Sequence, residues 1–171
     1  MPRPENREAF SHPLFSWLGD IQVMTARQYG ESGRGLFLAA KGGHNAESHS
    51  HNDVGNFIVY AGGRPLFLDT GSGEYTAKTF SPDRYEIWTM QSSYHNLPEI
   101  GGFSQKSGRE YAASEVVCDE RARALQMDLS KAYDPRAGVE KWVRQASLDA
   151  DCVRIADRFR LQRESEIRLY Y

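Results

Sequence analysis

KGGHNAESHSHNDVGNFIVYAGGRPLFLDTG, residues 41–71, contains the passage that decides the fold. VGNFIVY and RPLFLD are runs of β-branched, aromatic and aliphatic residues, and Ala61-Gly62-Gly63 lies between them. Glycine reaches the positive φ of a two-residue hairpin turn without steric cost, so the passage reads as a β-hairpin. Apolar residues at consecutive positions of FIVY and LFL predict a strand pair buried on both faces. Directly upstream, His44, His49 and His51 place three of the chain's five histidines close together.

Outward from this hairpin the signals remain those of strands. IQVMTARQY (21–29) and GLFLAAK (35–41) flank the turn-rich GESGR and read as another hairpin. ALQMDLS, KWVRQASLD, VRIADRFRLQ and EIRLYY alternate apolar and polar residues, as half-buried antiparallel strands do, with Asp134-Pro135 and residues 149–151 in the turns. Lys and Arg scattered through these runs read as a solvated face. Strands are expected near 21–29, 35–41, 55–60, 65–69, 110–117, 123–129, 139–148 and 152–162. Between the two strand-rich parts, SPDRYEIWTMQSSYHNLPEIGGF has room for one or two helical turns before Pro98. Many short strands with little helix predict an all-β fold, a large antiparallel β-sandwich of two sheets.

Residues 1–20 are Pro-rich and then carry Phe10, Leu14, Phe15, Trp17 and Leu18. They read as a short helical turn or an apolar strap, a linker from an upstream domain, with the sandwich over 21–171. The chain stops on EIRLYY, in the middle of a strand pattern, which predicts a piece of a longer protein truncated at its C-terminus.

A chain of 171 residues with 40% hydrophobic and 12% aromatic residues has enough apolar material for one folded domain. Its net charge of −2 gives no electrostatic footprint for nucleic acid or an anionic membrane. No apolar run approaches bilayer-spanning length. MPRPENREAF lacks the apolar stretch of a secretory signal. Cys118 and Cys152 stand outside any CxxC or CxxH spacing, and read as two reduced structural thiols rather than a disulfide or metal pair.

The histidines raise a geometric question. On a strand, His49 and His51 would leave the same face. Imidazole is a common zinc ligand, and a carboxylate such as Asp69 is a common partner. With a two-residue turn at Gly62-Gly63, Asp69 falls opposite Asn56, and His51 lies five residues beyond it. That is roughly 16 Å along a straight strand, more than any metal spans. Either His51 and Asp69 are unrelated, or the chain turns back between His51 and Gly55, where Asn52, Asp53 and Gly55 suit a bend.

HSHNDVGNFIVYAGGRPLFLDTG, followed by SSYHNLPEIGG and Gln105, resembles the core of the heparinase II/III-like family of polysaccharide lyases. The resemblance is close over residues 35–106 and looser up to Tyr171. Members of that family join an α/α-toroid to a β-sandwich, and this chain resembles the sandwich alone. The resemblance implies that His51, Asp69 and His95 bind one zinc ion and that His49 faces the substrate cleft as a catalytic group. It implies an acidic polysaccharide as substrate, an N-terminal toroid as missing partner, and a periplasmic or secreted setting. Tyr75, Arg84 and Tyr85 are candidates to line the cleft, or pack on the surface. Asp53 is a candidate to support a ligand, or a plain turn residue.

The implied chemistry is β-elimination from a uronic-acid polysaccharide: removal of the proton α to the carboxylate, then loss of the oxygen at C4. A histidine aimed at the carboxylate, or donating to the leaving oxygen, stabilises the charge that develops. Two other readings compete. A cupin-like metal-binding barrel also uses HxH, but needs a Glu four or five residues later, where this chain has Gly55 and Asn56. A non-catalytic carbohydrate-binding or interaction sandwich would carry the histidines incidentally.

Overall fold

The computed structural model describes residues 11–31 and 33–171, so Phe10 and the Pro-rich start lie outside the described residues. The chain opens with strand β1 (Phe15–Leu18), β2 (Val23–Arg27) and β3 (Leu36–Lys41). Phe15–Leu18 is thus a strand rather than a helical turn. The alternation explains it, since Phe15 and Trp17 pack against the core while β1 hydrogen-bonds along β2. After the two-residue β4 (His44–Asn45), the decisive hairpin forms β5 (Phe57–Ala61) and β6 (Arg64–Phe67).

Ala61 pairs with Arg64, and the intervening Gly62 and Gly63 have φ of 57° and 75°, as the turn requires. The pairing then slips by one residue, with Tyr60 opposite Pro65 but Val59 opposite Phe67. The expectation that this pair is buried on both faces fails. Every residue of β6 is exposed, because β6 is the edge of the five-stranded sheet β1-β2-β3-β5-β6. Pro65, which lacks an N–H, suits such an edge.

Residues 77–94 form four successive single 3-10 turns, Ala77–Phe80, Pro82–Glu86, Trp88–Met90 and Ser92–Tyr94. Ser81 caps the second by accepting the Asp83 N–H, with Pro82 at its first position. Each turn is closed by an extended residue, and the last of these is His95.

The remaining strands are β7 (Pro98–Ile100), β8 (Gly108–Ala112), β9 (Ser114–Asp119), β10 (Ala124–Asp128), β11 (Val139–Leu148), β12 (Val153–Leu161) and β13 (Ile167–Leu169). The single strand expected at 110–117 is two. β8 pairs with β4 and β9 with β10. Between them the Ala113 N–H leaves for the Gly43 carbonyl, and Glu115, at the start of β9, has φ of 50°. The second large sheet has the order β12-β11-β10-β9, all antiparallel, while β13 pairs with β7.

The two large sheets bury a shared core. Met24, Ala26, Leu38, Ala40, Phe57 and Val59 from one meet Leu125, Met127, Trp142, Ala146 and Leu148 from the other. The fold is therefore the all-β sandwich that strand spacing predicts. Arg144 lies in phase with Trp142, Ala146 and Leu148 on β11 and is 1% exposed, so this arginine belongs to the core, not to a solvated face.

Gly55, just before β5, has φ of 91°, and a Cβ there would stand 2.6 Å from Leu129 Cδ1. Gly62 has open space around it. Gly62→Ala is expected to cost about 1–2 kcal/mol for its left-handed backbone alone. Gly55→Ala should cost more, roughly 2–5 kcal/mol, because crowding adds to strain. Urea denaturation of both variants makes the comparison, and an equal loss at the two sites would contradict it.

Candidate metal centre

The segment between β4 and β5 carries His49 and His51 on irregular backbone, not on a strand. His49 has φ of 59°, so the two side chains do not share a strand face. From Asn52 to Asn56 the chain reverses while buried, which removes five N–H groups from water. All five are satisfied. Asn52 N–H donates to Met90 O at 3.0 Å, Gly55 N–H to Lys41 O at 2.9 Å and Asn56 N–H to Asp53 O at 3.0 Å. Asp53 N–H donates to Asn45 Oδ1 at 3.1 Å, and Val54 N–H to Gln105 Oε1 at 3.1 Å. Gln105 Nε2 returns a bond to Val54 O at 2.7 Å, so this side-chain amide pairs with Val54 as a neighbouring strand would. Asp53 closes the turn and pairs with Lys41 Nζ at 2.7 Å.

This reversal answers the geometric question. His51 comes back toward the end of the hairpin, and one possible ligand atom from each of His51, Asp69 and His95 lies within 4.8 Å of the others. The rings of His51 and His95 are 5.2 Å apart. Asp69 Oδ2 meets His95 Nδ1 at 2.7 Å and accepts from Asn56 Nδ2 at 2.6 Å, while Oδ1 accepts from the Gly71 N–H at 2.8 Å. The Asn56 side chain also accepts the Asn96 N–H at 3.1 Å. Asn96 Nδ2 donates to Phe57 O at 2.7 Å and Leu68 O at 3.0 Å, tying both hairpin strands to the residue beside His95.

Two observations test whether these side chains suit a cation. His95 Nε2 faces the Thr89 carbonyl at 3.1 Å, and Nδ1 faces the Asp69 carboxylate. Both partners are acceptors, and a neutral imidazole has one proton. With Nε2–H donating to Thr89 O, the Nδ1 lone pair faces the Asp69 carboxylate, an arrangement that a cation bound by both would complete. The second observation concerns side-chain oxygens that are buried without a hydrogen-bond partner. Among the described residues these are Ser50 Oγ, Asn52 Oδ1 and Thr89 Oγ1, all on segments that hold His51 or His95. Two imidazoles and a carboxylate form a donor set that zinc takes.

The electrostatics agree. Burial lowers the proton affinity of His51, as do His95 and Arg84, against the opposing pull of Asp53 and Asp69. Burial alone would raise the Asp69 carboxyl, but its bonds to His95 and Gly71 and the nearby imidazoles outweigh that and hold it at about 2. Near neutral pH the pair is thus biased toward a deprotonated ligand and a full carboxylate, the forms that bind a metal.

The other candidate residues are distributed around this cluster. His49 is exposed and meets Tyr75 edge-on, with ring centroids 6.2 Å apart. Tyr75 is itself exposed and packs near Phe80. Arg84 spends its guanidinium on Thr79 O and Ser50 O, each at 3.0 Å, which braces the residue between the two histidines. Tyr85 lines a separate polar cleft of about 440 Å³ with Asn52, Gln91, Gln105, Lys106 and Tyr111. Sequence reasoning missed the supporting roles of Asn45, Asn56, Asn96 and Thr89. Polar residues beside a turn give no signal that they are buried.

The family model described as Heparinase II/III-like, C-terminal, matches residues 19–171. No curated protein matches the chain. Among solved structures, a heparan sulfate lyase (HepC) from Pedobacter heparinus superposes with a TM-score of 0.69 at 15% identity, over 91% of this chain and 23% of that one. A heparinase III with methylated lysines gives 0.69 at 17% identity, over 90% of this chain and 23% of that one. A further heparinase III gives 0.55 at 18% identity, over 77% and 20%. The chain thus spans less than a quarter of the length of these proteins, and at such identities the likeness is one of fold.

Asn56 is the side chain on which Asp69 and the Asn96 backbone both depend. Asn56→Ala is expected to destabilise the fold by about 1–3 kcal/mol, the usual cost of leaving buried polar groups unpaired. Asn56→Asp should cost more, because it sets a second carboxylate against Asp69 Oδ2. Denaturant unfolding of the two variants gives the order, and a neutral Asn56→Asp would contradict it.

Proposed function

The chain belongs to the heparinase II/III-like family as its C-terminal domain, and from that premise we propose that it is the sandwich part of a polysaccharide lyase. The lyase cleaves a uronic-acid polysaccharide by β-elimination. The observation that carries this reading is the convergence of His51, Asp69 and His95 from three separate segments of a chain of this family. In this reading the three bind one zinc ion, and His49, exposed beside Tyr75, faces substrate. In this reading the sandwich takes in β1, so its start lies upstream of the boundary expected at residue 21, and an N-terminal toroid completes the enzyme.

The proton α to a uronate carboxylate is weakly acidic while that carboxylate keeps its full charge. His49 donates to the carboxylate or to the leaving oxygen at C4, where negative charge grows as the bonds break. Tyr75 packs edge-on against the His49 ring and limits its directions. A bound zinc, held by His51, Asp69 and His95 from three separate segments, would fix the loop that aims His49. The base that takes the α-proton belongs to the toroid. A positioned base contributes on the order of 10²–10⁴-fold, and orientation between two domains up to roughly 7–11 kcal/mol.

Four outcomes follow. The longer protein should release unsaturated sugar ends that absorb in the near ultraviolet, and these 171 residues alone should show negligible turnover. In the longer protein, His49→Ala should cripple turnover with zinc content and unfolding midpoint unchanged. His51→Ala should instead lower both zinc content and stability. Full lyase activity from the isolated chain, or an active His49→Ala enzyme, would overturn the assignment.

A further inference from the structure

We propose that Arg144, on the far sheet, is a positioning residue of the metal centre, setting the separation of the two loops that carry its imidazoles. The proposal rests on the zinc reading above for its functional meaning. Its geometric content stands on hydrogen bonds alone.

Arg144 projects from β11 into the core between Trp142 and Ala146, and its side chain is 1% exposed. A guanidinium in such a place is tolerated only if its donors are paired and its charge is balanced. Asp157 on β12 supplies the balance, accepting Nε at 2.9 Å on Oδ1 and Nη2 at 2.7 Å on Oδ2. Trp142 Nε1 donates to the same Oδ1 at 3.1 Å, so the carboxylate is held from a second side. This fork fixes the plane of the guanidinium and leaves Nη1 pointing across the sandwich.

Nη1 then reaches two carbonyls on the opposite layer, Gly55 O at 3.1 Å and Asn96 O at 2.7 Å. Gly55 lies in the reversal that follows His51, and Asn96 directly follows His95. One nitrogen therefore joins the two histidine loops to each other and to the second sheet. The guanidinium carbon sits 5.5 Å from the centre of the Phe57 ring, which packs beneath it.

A purely stabilising role predicts something different. A buried ion pair replaced by apolar groups of similar volume is often neutral or favourable for stability. A methionine would fill the space of Arg144 but offer the two carbonyls no donor. Lysine would keep the charge, but its ammonium cannot serve the Asp157 fork and both carbonyls together.

The test uses the 171-residue chain with Arg144→Met/Asp157→Asn and, separately, Arg144→Lys. Zinc affinity is read by competition with a chromophoric chelator, and the metal-free imidazoles by proton–nitrogen NMR. Both variants should fold, and zinc affinity should fall about 10–100-fold, as when outer partners of metal ligands are lost. The His51 and His95 imidazole signals should move or broaden in the metal-free variants, with those of His12 and His44 unchanged. If the unmodified chain binds no zinc, the metal reading fails, while the NMR comparison still decides whether Arg144 positions the rings. Folded variants with unchanged His51 and His95 spectra would overturn the proposal, as would failure of both variants to fold.

Discussion

The reversal of the chain between Asn52 and Asn56 is the constraint on which the rest of the site depends. A strand run straight back from Asn56 would carry His51 roughly 16 Å from the hairpin end. The observed bend returns it to within a few ångströms of Asp69 and His95. Such a bend removes backbone groups from any ladder and buries them, so every N–H in it needs a partner. Four of the five partners come from β3, β4, the 3-10 turns and the Gln105 side chain, and the Asn56 N–H is met by Asp53 O within the bend. Gly55 is needed because its left-handed backbone runs close against Leu129. The local conformation is thus set largely by groups outside the bend, from β3 to Gln105.

The polar residues of this region form a continuous scaffold rather than a set of separate pairs. Asn56 joins Asp69 to Asn96, Asn96 joins β5 to the end of β6, and Arg144 joins both histidine loops to Asp157. Buried polar networks are favourable only when nearly every member is satisfied, and then they specify one arrangement. The oxygens left over beside the triad are those of Ser50, Asn52 and Thr89. The scaffold around the cluster is buried and hydrogen-bonded, while His49, Tyr75 and Phe80 beside it stand exposed. That division is what a site needs if one set of side chains holds position and another meets a ligand.

Much of the fold was legible because strands that alternate over many residues announce themselves. β11 covers 139–148 as expected, and the Gly62-Gly63 hairpin turns where its glycines require. β1, β4 and β7 were not foreseen. They are two to four residues long, and their pairing rests on partners that the local sequence does not reveal. Spacing alone left His51 and Asp69 undecided, since it cannot say whether Gly55 bends the chain. The membership of His51, Asp69 and His95 in one cluster came from family resemblance, not from periodicity. Arg144 did leave a trace, a charged residue in phase with Trp142, Ala146 and Leu148, but the default for arginine on a strand is a solvated face.

X-ray absorption of the zinc-loaded chain tests the central claim most directly, because it reports which atoms surround the metal. The account predicts a nitrogen and oxygen shell near 2.0–2.2 Å with outer-shell scattering from two imidazoles, lost on His95→Ala. A sulfur shell near 2.3 Å, which would place the metal at Cys118 or Cys152, or a spectrum unaltered by His95→Ala, would contradict it.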